Sequence, residues 1–267
     1  MNEDLGLQSD FNLLKQKVLD KRPVLKQLLK KKGNKNILEY SNQYIDVNFH
    51  PTIPKRQHEF LEIIEEIVTE RFGREIALSV VRQLKKYYFI STADHTGPIT
   101  HPFFVNSNLL IAASILNHHD IDLQNILVLS CARVSVDNSS FPRGLFFHNY
   151  LNEKLETHRL AFFSGNTRPP LVYNLRPYGR EELEQIYSTL NKKLAKKEIT
   201  QEQYDKLFNL FKEVYDQPEI LKLSSYTEQI SKTNFLLWKR FFPADQVKIP
   251  NLIYLELEDV VSKLIIK

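Results

Sequence analysis

The sequence predicts an α/β protein: a mixed or mostly parallel sheet with flanking helices, an N-terminal helical portion, and a helical hairpin inserted near residues 180–215. Three observations carry that expectation. The apolar residues keep helical spacing over residues 10–32 and again from Phe60 to Lys86, and the pattern then changes to short aromatic and β-branched runs. A buried apolar helix separates two of those runs, which is the order and length a parallel strand–helix–strand crossover needs.

The elements follow in order. Residues 10–32 carry two apolar stripes, Leu13, Leu14, Val18 and Leu19, then Val24, Leu25, Leu28 and Leu29, with Pro23 between them and Gly33-Asn34 as the stop. Residues 36–54 read as irregular. A stronger helix carries Phe60, Leu61, Ile63, Ile64, Ile67 and Val68 as far as Gly73, and a second runs from Arg74 to Lys86. Tyr87–Ile90 is predicted as a strand, Asn108–Asn117 as a buried helix, and Asn125–Val136 as a strand. Leu145–Phe147 and Leu160–Phe163 are further strand candidates. Residues 180–215 turn helical, with Thr200 and Gln203 spaced as a capping box between two helices. A helix over Ser224–Phe241, a strand over Leu252–Leu257 and a terminal helix from Glu258 complete the series. That helix ends in an apolar Leu264-Ile265-Ile266 without a cap, so it either docks on the body or continues in a longer protein. Residues 1–54 are expected to form the helical portion and residues 55–267 the α/β domain, or the two are continuous.

Composition narrows the function classes. An apolar fraction of 42% with 25% charged residues is that of a soluble globular chain. No apolar run reaches the roughly 20 residues that span a bilayer, and the acidic start lacks the apolar core of a signal peptide. No membrane partner and a cytoplasmic location are the expectation. Cys131 is the only cysteine, which excludes an internal disulfide framework and a multi-cysteine zinc site. A net charge of +4 is too small to imply nucleic acid by itself. Lysines cluster at residues 26–35 and 192–197, where solvated helix faces account for them. Neither a Walker A loop nor a dinucleotide-binding glycine fingerprint is present.

Candidate chemistry gathers in two polar segments. Ile90–His101 holds a carboxylate, two imidazoles, several hydroxyls and a Gly-Pro turn. In open α/β sheets ligands collect outside the carboxyl ends of the strands, where this segment and residues 135–144 would both emerge. Asp94, His95 and His101 are the candidate catalytic groups, since a carboxylate beside imidazoles suits proton transfer near neutral pH. Thr96, Arg133, Asp137, Asn138 and Arg143 are the candidate substrate contacts, the guanidinium groups suiting an anion. The same Asp94, His95 and His101, with His148 as a further nitrogen, form a candidate set for a divalent metal ion.

Structural roles compete with each assignment. Asp94 can cap a turn, Gly97-Pro98 can shape it, and a cysteine in an apolar strand is usually a small buried hydrophobe. The functional expectation is a hydrolase or group-transfer enzyme acting on a small anionic substrate by acid–base or metal-assisted chemistry. Its alternative is a non-catalytic module that binds a ligand, a protein or a nucleic acid, with the 180–215 hairpin as the contact surface.

Overall fold

A computed structural model shows a mixed α/β molecule built on a small parallel sheet. The structure describes residues 3–36, 39–40, 56–87, 90–93, 95–99, 102–116, 123–136, 143–151, 154–164, 166–167, 171–243, 245 and 249–267. The chain divides into two units, Met1–Asp46 and Val47–Lys267.

The first unit carries α1 (Glu3–Lys21) and α2 (Pro23–Lys32). Pro23 sits at the first position of α2, where its missing N–H costs no hydrogen bond, and Lys30, Lys31 and Lys32 complement the dipole at the other end. No residue of α2 is buried.

The second unit begins with α3 (Gln57–Phe72) and α4 (Arg74–Lys86), joined at Gly73, whose φ of 93° lies where L side chains are disfavoured. Strand β1 (Ile90–Ala93) leads through α5 (Pro102–Leu116) to β2 (Asn125–Ser130). Strands β3 (Gly144–Leu151) and β4 (Lys154–Ala161) form a separate antiparallel pair. Helices α6 (Arg180–Ala195) and α7 (Gln201–Leu210) make the hairpin, with a single π turn at Phe211–Tyr215. The short α8 (Pro218–Leu221), the long α9 (Tyr226–Phe241), β5 (Asn251–Glu256) and α10 (Leu257–Ile266) follow.

The sheet order is β1-β2-β5, all parallel, with Ile90 opposite Leu127 and Asn125 opposite Asn251. Strand periodicity sends alternate residues to opposite faces. Ile126, Val128, Leu252 and Tyr254 enter a core shared with Ala112 of α5, Ile230, Leu237 and Trp238 of α9, and Leu183, Ile186 and Leu190 of α6. Leu127, Leu129, Ile253 and Leu255 meet the other core, made by Ile63, Ile64, Ile67 and Val68 of α3 and Val80 and Leu84 of α4. Both faces are covered, as a parallel sheet requires. Gln83 fixes where β2 starts: its side chain accepts from the backbone N–H of Asn125 and donates to the carbonyl of the same residue.

The parallel crossover holds, and the strand boundaries differ from those the sequence suggests. β1 runs past the predicted end at Ile90 as far as Ala93, because backbone pairing with Leu127–Ser130 recruits Ser91 and Thr92. Tyr88 and Phe89 lie outside the described residues, as does most of the predicted irregular stretch at 36–54. β2 ends at Ser130 instead of Val136, since its neighbour β5 stops opposite at Glu256. Among the described residues no helix is long and apolar enough to cross a membrane.

Candidate functional site

The carboxyl ends of β1, β2 and β5 converge on Ser130–Arg133, and side chains from all three exits lock together there. The backbone N–H of Thr96, beyond β1, donates to the carbonyl of Cys131 at 2.8 Å. The hydroxyls of Thr96 and Ser130 lie 2.8 Å apart, and Ser130 Oγ donates onward to the carbonyl of Leu255 at 3.3 Å. Thr96 is buried, and so are Gly97, Pro98 and Ile99. Asn234 of α9 holds this stretch by its backbone, donating to the carbonyl of Gly97 and accepting from the N–H of Ile99, both at 3.0 Å. Thr96–Ile99 is therefore a fixed, packed piece of chain across the end of the sheet.

The exit of β5 supplies a carboxylate to the exit of β2. Glu258, in the first turn of α10, accepts from the backbone N–H of Ala132 at 3.0 and 3.1 Å and from that of Arg133 at 2.8 Å. Cys131 Sγ donates to the same carboxylate at 3.5 Å. Charged hydrogen bonds to consecutive amides are the usual means of holding an anion at a strand end. Here the anion is part of the chain.

Beside it lies a buried ionic group. Arg71, in the last turn of α3, pairs with Glu256 and, at 2.6 Å, with Asp259. Tyr173 donates to Asp259 Oδ1 at 2.9 Å. One guanidinium faces two carboxylates, so it cannot neutralise both. Burial pushes the Glu256 carboxyl above its ordinary value; the Arg71 charge pulls it back and Asp259 adds to the rise. Burial and then the bond to Asp259 push the Tyr173 phenol up to about 12. Among the described residues Glu256 Oε1 has no hydrogen-bond partner.

The sequence-predicted residues fall as follows. His95 is half-buried next to Thr96, and Arg133 is exposed immediately past the Glu258 contact, with no ion-pair partner among the described residues. Arg143 is buried just before β3, its carbonyl accepting from the N–H of Phe162 at 2.9 Å. His148 stands in the antiparallel pair, exposed, with Nδ1 3.1 Å from Thr157 Oγ1. Asp94, His101, Asp137 and Asn138 lie outside the described residues. Among the described residues no group of three His, Cys, Asp or Glu side chains is placed to hold a metal ion. The hairpin proposed as a contact surface spends Leu183, Ile186 and Leu190 on the core, and Lys193 bonds both His158 and Glu198 at 2.9 Å.

Sequence reasoning missed Glu256, Glu258, Asp259, Arg71 and Tyr173. A signal existed for the first three: Glu256 ends an apolar parallel strand and Glu258 and Asp259 follow it, in the position where such sheets carry functional groups. Comparison with models of protein families, with curated proteins and with solved structures finds no match for this chain.

Proposed function

We propose that the carboxyl end of the parallel sheet is the active site of a hydrolase or group-transfer enzyme acting on a small anionic substrate. His95 exchanges protons with the substrate and Arg133 receives its anionic group. The supporting observation is the bond from Thr96 N–H to the Cys131 carbonyl, which fastens the segment carrying His95 to the segment carrying Arg133. A backbone tie of this kind holds the segment that carries the proton carrier against the segment that carries the cation, which lowers the cost of bringing both to one substrate. Imidazole changes charge near neutral pH, and guanidinium binds carboxylate or phosphate in a two-pronged manner. Asp94, His101, Asp137 and Asn138 belong to the same two loops by sequence and complete the proposed set.

The test uses the full chain with inorganic phosphate and a panel of small carboxylates and phosphate or carboxylate esters. A ligand at about a hundredfold excess over its Kd raises Tm by about 5–10 °C in a protein of this size. Arg133→Gln is expected to abolish that rise. His95→Gln is expected to keep it and to lower turnover of the responding ester by about 100-fold or more. If both folded variants match the parent in ligand response and turnover, or if no anion stabilises the parent, the reading fails.

A further inference from the structure

The excess of positive over negative charge is greatest in one short segment. Residues 12–35 hold nine Lys or Arg and a single acidic residue, Asp20, a net of +8 against +4 for the whole chain, which leaves −4 for everything else. Such asymmetry points to a polyanionic partner for that segment. The same segment exposes a row of aliphatic side chains. On α2, Val24 is 79% exposed, and Leu25, Leu28 and Leu29 are each above 40%. At 100° per residue these four occupy one side of the helix, with Lys32 joining them at its last position, while Lys26, Gln27, Lys30 and Lys31 take the other. On α1, Leu14 and Val18, one turn apart, are exposed as well, with Lys15, Lys17 and Lys21 nearby.

We propose that the first unit binds an anionic lipid surface, with the aliphatic side of α2 in the boundary between headgroups and acyl chains and its lysines among the headgroups. A basic amphipathic helix of low overall hydrophobicity is the form of element that lies in that boundary without crossing it. Clusters of four to eight cationic residues on such a helix match a negatively charged leaflet. Nucleic acid would satisfy the lysines and leave the leucines in water. A protein groove would favour aromatic and arginine anchors, whereas α2 offers Leu, Val and Lys, and lysine is depleted at protein interfaces.

The experiment is co-sedimentation of the full chain with vesicles of phosphatidylcholine alone and of phosphatidylcholine mixed with phosphatidylserine. Binding is expected on the mixed vesicles only. It should fall at least about tenfold when salt rises from ~0.1 M to ~1 M, as the screening length shrinks from about 10 to 3 Å. Leu25→Gln with Leu28→Gln, and separately Lys30→Gln with Lys31→Gln, should each weaken binding about tenfold or more; all four side chains are exposed, and circular dichroism of each variant checks that helicity is retained. Equal binding to neutral vesicles would overturn the proposal. So would undiminished binding by the leucine variant, or self-association in sedimentation velocity that the leucine variant abolishes without any vesicle binding by the parent. Binding to duplex DNA or RNA with none to either vesicle would also overturn it.

Discussion

The carboxylate of Glu258 lies 2.8 Å from the backbone nitrogen of Arg133, and it also takes the N–H of Ala132. The link ties the first turn of α10 to the end of the central strand. Glu258→Ala strands one part-buried donor, at Ala132, and one exposed donor, at Arg133, at about 1–3 kcal/mol in all, and Glu258→Gln should cost less because its amide oxygen still accepts. Thermal unfolding should show a loss of about 2–10 °C for the alanine variant and a smaller one for glutamine. Equal stability of parent and alanine variant would mean that water replaces the carboxylate without penalty.

Arg71 and Glu256 make a second prediction, and its sign depends on pH. An acid held above its ordinary value binds its proton more tightly folded than unfolded. Its contribution to stability is therefore full below the unfolded value of about 4.5 and declines as pH rises through the folded value. Glu256→Gln should remove that decline, leaving a flatter plot of unfolding free energy against pH. Arg71→Met leaves a buried carboxylate without its cation and should cost about 3–5 kcal/mol at pH 8. At pH 5 the cost should be smaller, because Glu256 can take a proton. A pH-independent cost would show that packing, not charge, is what Arg71 supplies.

Gly144 yields a purely steric prediction. A Cβ on this residue would stand 2.2 Å from the carbonyl oxygen of Leu160 across the strand pair, and 2.6 Å from the Cα of Ala161. Neither is the end of a flexible side chain, so the backbones must part. Gly144→Ala should cost about 1–3 kcal/mol, read as a fall in the urea midpoint with the slope unchanged.

The fourth prediction concerns Asn234, which is fully buried and makes both of its bonds to the backbone of Gly97 and Ile99. Asn234→Leu keeps the volume and loses both bonds, leaving a buried donor and a buried acceptor unmet at about 2–5 kcal/mol together. Hydrogen exchange should then accelerate at Thr96 and Ile99 before it does in β2. Acceleration spread evenly over the sheet would show that the residue supports the core at large.

The helices and the crossover were legible because their signals are local. Thr200 accepts from the N–H of Gln203, as the spacing of those two residues leads one to expect. Ser225 caps α9 in the same way. Strand ends were less legible. Tyr87 to Ile90 has the composition of a strand interior, yet backbone pairing, which composition does not encode, carries the strand on through Ser91 and Thr92 to Ala93. The residues gathered at the carboxyl end of the sheet were legible only in part. A polar segment after an apolar run identified Thr96 and His95, but Glu258 and Asn234 act on backbone groups 125 and 135 residues away. The place of Glu258 after an apolar strand marks it as a site candidate, but nothing around either residue names the backbone group it binds.

Asn125 and Asn251 are paired at the start of β2 and β5 although they lie 126 positions apart in the chain. A chain leaves the ribosome at about 5–20 residues per second, so β2 waits on the order of ten seconds for β5. During that interval Ile126–Leu129 is an apolar strand with an open edge, free to pair with the wrong chain. Pairings so distant are closed slowly once the chain is complete, because the loop entropy must be met before the contact repays it. The vulnerability of this protein is thus one of timing, and the strand nearest its end is the one whose arrival closes the sheet.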